Sequence, residues 1–344
     1  MATAADRIGR PDAGDVVDPS APGTSRSGPD VVNVANLSPA IPAPGAHGGD
    51  AWALAAALGV DPGEIIDLSA SMNPFAPDVG AVVARIARDR PEVLGRYPDE
   101  RDATTVLANA IGVDPELLVL TNGGAEAIAL VASSERVGEV VDPEFSLYER
   151  HLARVEPGAP RWRSNPSNPL GRIADTNDTA RVWDEAFYAI ATGTWSRGDQ
   201  GCWRLGSLTK LWSCPGLRLG YAIAPSPDAA DTIRRLQPRW AVNAIALAAL
   251  PEMLEATDPV GWSRRIRSLR SEFGSRLSRL GFEVHDTDAN WLLIRRPGLR
   301  EALARHLVLV RDCASFGLDG VARVALPRPD ELDRVVAAFE RISP

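Results

Sequence analysis

The chain has 344 residues, 45% of them hydrophobic, which is enough for two domains or for one large domain with an appendage. A formal charge of -8 built from mixed charges throughout argues against nucleic acid or an anionic membrane as the main partner. No apolar run approaches the roughly 18 residues needed to span a bilayer, and no apolar signal core opens the chain. Three widely spaced cysteines, Cys202, Cys214 and Cys313, outline neither a disulfide framework nor a zinc site, so a cytoplasmic location is expected.

Residues 1–44 are rich in Pro, Gly, Ser, Ala and Asp without a helical or strand period, and are expected to form a disordered arm. Folding is expected from His47 onward, with Asp50 as N-cap of a helix over 51–58, Gly59 as its stop and a strand over 65–68. A helix over 78–90, a Tyr97-Pro98 turn, a helix over 100–111, a strand over 117–120, a Gly123-Gly124 turn, a helix over 125–134 and a strand over 139–141 follow. That alternation predicts a parallel sheet with helices on both faces. Strands over 203–205 and 219–224 and a buried helix over 243–256 complete a large domain spanning 76–256. In the helix predicted over 259–279, Ile266, Leu269, Phe273, Leu277 and Leu280 share one stripe, and the arginines opposite read as a solvated face. Strands over 282–285, 291–295, 307–311 and 321–325, with helices over 299–306 and 329–341, make a smaller α+β unit over 257–344. The segment 45–75 is expected to pack with it.

All but one of the 37 basic residues are arginine, and the exception is Lys210, in Ser207-Leu208-Thr209-Lys210 ahead of Pro215-Gly216-Leu217-Arg218. A guanidinium stays protonated and cannot serve as an amine nucleophile, whereas a lysine can lose its proton and form a Schiff base. Ser207, Lys210 and Arg218 are spaced to aim a hydroxyl, an amine and a guanidinium at one phosphorylated aldehyde. In Thr121-Asn122-Gly123-Gly124-Ala125-Glu126, a strand passes into a helix whose first amides can hold a phosphate; taken singly, this is also an ordinary strand-to-helix turn. Asp184, in Val182-Trp183-Asp184-Glu185-Ala186-Phe187, ends a hydrophobic stretch, where a carboxylate either pairs with a protonated pyridine or simply begins a turn. Asn165-Pro166-Ser167-Asn168-Pro169-Leu170-Gly171 reads as a turn-rich loop.

Together these motifs, S-x-T-K-x4-P-G-L-R-x-G above all, resemble those of fold-type-I enzymes dependent on pyridoxal 5'-phosphate (PLP), the class I/II aminotransferase superfamily. The likeness runs from about His47 to the C-terminus. It implies a large α/β domain with a mostly parallel, seven-stranded type of sheet and a smaller C-terminal α+β domain. By position, the resemblance implies that Lys210 carries the Schiff base and moves protons, Asp184 pairs with the pyridine nitrogen and Asn168 binds the ring O3'. Ser207, Arg218 and the amides of Gly124 and Ala125 bind the cofactor phosphate. Phe145 stacks on the ring in preference to Tyr148. Tyr97 resembles the tyrosine that reaches a partner subunit's cofactor, which implies a homodimer. Arg323 resembles the arginine that grips the substrate carboxylate.

His47-Gly48-Gly49-Asp50, Leu68-Ser69-Ala70-Ser71-Met72-Asn73-Pro74, Gln237-Pro238-Arg239-Trp240-Ala241-Val242-Asn243-Ala244 and Val310-Arg311-Asp312-Cys313-Ala314-Ser315-Phe316 are similar to segments of the L-threonine-O-3-phosphate decarboxylases of cobalamin synthesis. Histidinol-phosphate aminotransferases share the cofactor motifs, and a cofactor-binding relative with weak catalysis is a third possibility. A small phosphorylated amino acid or amine is the expected substrate, with Arg311, Arg323, Asn73 and His47 as candidates to receive it. The 145–184 region is short for this fold: 19 residues separate Phe145 from Asn165 and 12 separate Gly171 from Asp184. A parallel crossover takes a dozen residues or more, so one helix at least is expected to be trimmed or missing.

Overall fold

The computed structural model describes residues 40–45 and 47–344, and most of the expected arm lies outside them. The chain passes through α1 (Ala51–Leu58), β1 (Ile66–Asp67), α2 (Val79–Asp89), α3 (Arg101–Ile111), β2 (Leu118–Thr121), α4 (Gly124–Ser134) and β3 (Val137–Gly138). Next come α5 (Leu147–His151), β4 (Arg154–Val155), β5 (Trp162–Ser164), β6 (Val182–Asp184), α6 (Tyr188–Thr192), β7 (Trp203–Gly206), α7 (Leu208–Leu211) and β8 (Gly220–Ile223). Helices α8 (Pro227–Leu236), α9 (Ala244–Glu255) and α10 (Pro259–Arg279) lead to β9 (Glu283–His285), β10 (Trp291–Arg295), α11 (Leu299–Ala304), β11 (Val308–Leu309), β12 (Arg311–Asp312), β13 (Val321–Ala325) and α12 (Leu332–Glu340). Helix starts follow their caps: the Asp78, Asn243 and Asp258 side chains accept from the amides of Ala81, Ala246 and Gly261 at 3.0, 2.8 and 2.9 Å.

The central sheet has the order β2-β8-β7-β6-β5. The sheet is mixed, as a mostly parallel one allows: β5, β6 and β7 are parallel, while β8 runs antiparallel to both β2 and β7. The antiparallel step needs no long crossover, and the segment between β7 and β8 holds only the single turn of α7. Beyond β5 the parallel β3-β4 pair extends the layer through a Glu139–Arg161 bridge, where the Trp162 amide donates to the Glu139 carbonyl at 2.9 Å. Alternation along the strands divides the core. In β2, Val119 packs into a cluster with α4 and α8, whereas Leu118 and Leu120 face the larger cluster built with α3, α9 and α10.

No α-helix lies between β4 and β5 or between β5 and β6, as the short region requires. Arginine and tryptophan cover part of that face instead. Arg163, Trp183 and Arg204 are cross-strand partners in one row over β5, β6 and β7. The Arg163 and Arg197 guanidiniums stand 5.1 and 4.7 Å from the Trp183 ring. Arg197 also donates to the carbonyls of Ala174, Thr176 and Asp178 at 3.3, 2.9 and 2.8 Å, tying the β5–β6 loop onto the sheet.

The C-terminal part holds an antiparallel sheet, β12-β13-β10-β9, packed on α10 and α12. The N-terminal segment joins this part, since β1 pairs in parallel with β11. Arg270 departs from the solvated face expected of α10. It is buried, and its guanidinium donates to the Asp286 carboxylate at 2.9 Å and the Ala289 carbonyl at 2.8 Å. Among the described residues no helix is long and apolar enough to cross a membrane.

Candidate active site

Where the C-terminal ends of β6 and β7 meet the start of α4 and the β12-β13 pair, a cavity of about 700 Å³ opens, with Lys210 in its lining. His47, Gly124, Ala125, Phe145, Asn168, Ser207, Arg218, Arg311 and Arg323 line the same cavity. Residues spread over 276 positions of sequence are thus brought together by the turns that follow the central strands. Lys210 occupies the one turn of α7, immediately after β7, and its Nζ donates to the Ala70 carbonyl at 2.8 Å. Burial, reinforced by the positive charges of Arg323 and Arg218, pushes its pKa down to about 8, against the opposing pull of Asp67 and Asp184.

The end of the cavity at the start of α4 is shaped by close backbone approach. Gly123 has φ +81°, and a Cβ there would sit 2.6 Å from Nη2 of Arg218, so only glycine leaves room for that guanidinium. Gly220 is equally confined, because its Cβ would meet the Gly123 and Gly124 backbone at 2.7 Å. The first amides of α4, the Ser207 hydroxyl and Arg218 therefore converge on one small space at a helix N-terminus.

Asp184, at the end of β6, accepts from the Tyr148 hydroxyl at 2.8 Å and from the Ala186 amide at 3.0 Å. Desolvation raises its pKa, opposed by those two hydrogen bonds and by the charge of Lys210. Asn168 is fixed from two sides. Its Oδ1 accepts from Nη1 of Arg323 at 2.5 Å, and its amide donates to the Ser164 hydroxyl at 2.8 Å. With Oδ1 so engaged, Nδ2 is the group it can offer as a donor.

Arg311 and Arg323 are directly opposite each other on β12 and β13, and both are buried. Arg311 donates to the Gly45 carbonyl and the Ser315 hydroxyl at 2.7 and 2.8 Å. Arg323 donates to the Ser69 carbonyl at 2.9 Å, and its Nε has no partner among the described residues. Burial pushes the Arg323 pKa down to about 10, an effect to which Arg311 adds. The His47 ring lies 5.6 Å from Phe145 and its pKa is lowered, first by burial and then by Arg311 and Arg150.

Two candidates lie elsewhere. Asn73 is buried beneath the site, where Nδ2 donates to the Leu211 carbonyl at 2.9 Å and Oδ1 accepts from the Phe75 amide at 3.0 Å. Its contacts brace the Lys210 turn and do not open on the cavity. Tyr97 is 77% exposed and stacks on Trp240, with ring centroids 4.2 Å apart, beside a separate surface cleft. Tyr148 is buried behind the cavity and turned toward Asp184, whereas Phe145 lines it. The Tyr148–Asp184 contact spans 36 residues of sequence and carries no local signature.

A half-buried lysine after a parallel strand, a helix N-terminus beside a serine and an arginine, and a carboxylate whose charge is felt by the lysine make up the α/β site of an enzyme. The family model "Aminotransferase class I and II" matches residues 162–339. The threonine-phosphate decarboxylase of Salmonella typhimurium is 30% identical, over 86% of this chain and 96% of its own length. A histidinol-phosphate aminotransferase of Cupriavidus pinatubonensis is 27% identical, over 83% of this chain and 90% of its own. Among solved structures, the histidinol-phosphate aminotransferase of Sinorhizobium meliloti in complex with pyridoxal-5'-phosphate superposes with a TM-score of 0.70 at 17% identity, covering 85% of this chain and 94% of that one.

The chain belongs to the class I and II aminotransferase family of PLP-dependent enzymes, and its cofactor is PLP. The residues present fit that group: glycine at 123 leaves room for the Arg218 guanidinium beside the α4 N-terminus, and the Lys210 amine has its pKa lowered to about 8.

Proposed function

We propose that this chain is a decarboxylase of L-threonine O-3-phosphate, releasing CO2 and (R)-1-aminopropan-2-yl phosphate for cobalamin synthesis. The observation that carries the reading is the buried Arg311–Arg323 pair facing the same cavity as Lys210. Two adjacent guanidiniums suit a substrate with two anionic groups, and threonine phosphate has a carboxylate and a phosphate where histidinol phosphate has a phosphate alone.

When bound, PLP would supply an electron sink for the charge left on the substrate's Cα. Lys210 holds the cofactor and then returns a proton to Cα. Asp184 balances the ring nitrogen's charge, Asn168 donates to O3', and Gly124, Ala125, Ser207 and Arg218 bind the cofactor phosphate. Phe145 covers one ring face. Arg323 takes the substrate carboxylate, while Arg311 and His47 take its phosphate. Tyr97, exposed and outside the lining of its own cavity, completes the phosphate site of a second subunit in a homodimer.

Aminotransfer is the second reading, favoured by the near-equal identity of the histidinol-phosphate aminotransferase relative. A glutamate donor also carries two anions, so the products decide. The purified, PLP-loaded protein is expected to release CO2 from threonine phosphate without forming a keto acid, and Lys210→Ala to lower that rate by about a thousandfold or more. Amino transfer to 2-oxoglutarate without CO2 release would establish the second reading. Cofactor binding with neither activity would establish a PLP-binding relative with weak catalysis.

A further inference from the structure

Behind the cavity lies a buried polar layer that the roles above leave unused. Glu144, between β3 and α5, is buried, and its two oxygens accept from the Ser164 amide at 3.0 Å and the Ser164 hydroxyl at 2.5 Å. Ser164 ends β5, and its hydroxyl in turn accepts from the Asn168 amide at 2.8 Å. Beside it, the fully buried Tyr148 directs its hydroxyl at Oδ2 of Asp184, while the Ala186 amide holds Oδ1. Both groups read as the partners of the cofactor ring are therefore held by buried neighbours, Asp184 by Tyr148 and the Ala186 amide, Asn168 through Ser164 by Glu144.

We infer that Tyr148, Ser164 and Glu144 are positioning residues for the cofactor: Tyr148 aims the Asp184 carboxylate and stabilises its anionic form, and Glu144 through Ser164 sets the Asn168 loop. This rests on the reading of Asp184 and Asn168 as ring contacts. A buried carboxylate without donors favours its protonated form and pairs weakly with a pyridinium, so the Tyr148 hydroxyl acts on the electronics of the bound ring without touching it. The Glu144–Ser164 bonds act on geometry, since a bond to the Asn168 backbone amide fixes the point from which its side chain reaches toward O3'.

Tyr148→Phe deletes one oxygen and keeps the packing of the ring. Its PLP dissociation constant is expected to rise about tenfold. The pH midpoint of the bound cofactor's visible band is expected to move in the direction that Asp184→Asn moves it, but less far. In the Asp184→Asn background the same substitution should change affinity by less than about twofold, because the carboxylate it serves is gone. Trp162→Phe, next to Tyr148, is the control: it should lower thermal stability without moving the band.

An unchanged affinity and midpoint in folded Tyr148→Phe, or an effect that adds fully to that of Asp184→Asn, overturns the inference. Should Tyr148→Phe fail to fold, Ser164→Ala decides on the Asn168 side: weaker PLP binding with a shifted band is expected, and an unmoved band overturns the proposal. If Asp184→Asn itself changes neither affinity nor band, the underlying reading of Asp184 fails. If it changes both and Tyr148→Phe changes neither, only this inference fails.

Discussion

Lys210 shows how one residue can be legible from sequence while its chemistry is not. A lone lysine in a chain of arginines, spaced from Ser207 and Arg218, was readable because the motif is local. What lowers its pKa is not local: burial and the charge of Arg323, which lies 113 positions away, set it near 8. The shift has a consequence for stability. Between about pH 8 and 10.5 the unfolded chain holds a proton that folded Lys210 lacks, so stability must rise with pH across that window. The cost relieved there is on the order of 3 kcal/mol. Urea denaturation of the cofactor-free protein at pH 7.5 and 10.5 is expected to show the parent gaining up to about that much on Lys210→Met. Parallel pH profiles for the two proteins would contradict a desolvated, readily deprotonated amine. Asn73 teaches the converse: a motif residue adjacent to the site can serve its backbone, and only the partners of its amide reveal this.

Among elements, long periodic segments were readable and short ones were not. The prediction of a helix over 259–279 matches α10 because four turns of apolar stripe leave little ambiguity, whereas β3, β4 and β5 have two or three residues each and carry no period. The direction of β8 was invisible for a different reason, since alternation is the same in either orientation. That the 145–184 region had to trim or lose a helix was legible from length alone, and its one helix, α5, has only five residues. What replaced it was not, because the cover comes from Arg197, beyond β6 in sequence and joined to the β5–β6 loop only in space. Arg197→Ala removes three carbonyl contacts and a stacking partner of Trp183 at once. It is expected to cost about 2–4 kcal/mol in chemical denaturation and to speed proteolysis within residues 172–180. Arg197→Lys should recover only part of this, because an ammonium cannot reach three carbonyls in a plane while stacking on an indole. A loss below about 0.5 kcal/mol for Arg197→Ala would show that the loop is held by other means.

At the scale of the whole molecule, the group to account for is Tyr97, which stands away from the cavity that Lys210 lines. Tyr97 is 77% exposed and Trp240, stacked on it, is 53% exposed. Trp240 has φ +58°, a conformation that costs a non-glycine residue about 1–2 kcal/mol and that a lone surface tryptophan has no evident reason to hold. An aromatic pair fixed in this way and left uncovered suits burial against a second copy. If Tyr97 serves the neighbouring site, loss of Tyr97 in one subunit and of Lys210 in the other must fall on different sites of a mixed dimer. Lys210→Ala and Tyr97→Ala proteins, each weak alone, are therefore expected to regain activity when dissociated and reassociated together. A heterodimer then contains one site with the Lys210 of one chain and the Tyr97 of the other. With random pairing, half of the dimers are mixed and each has one intact site, so the recovered activity should approach about a quarter of the parent's per chain. Native mass measured beside activity separates the alternatives: recovery together with a dimer mass supports service across the interface. A dimer that never recovers activity would place Tyr97 outside the reaction and leave it, with Trp240, as a purely adhesive contact.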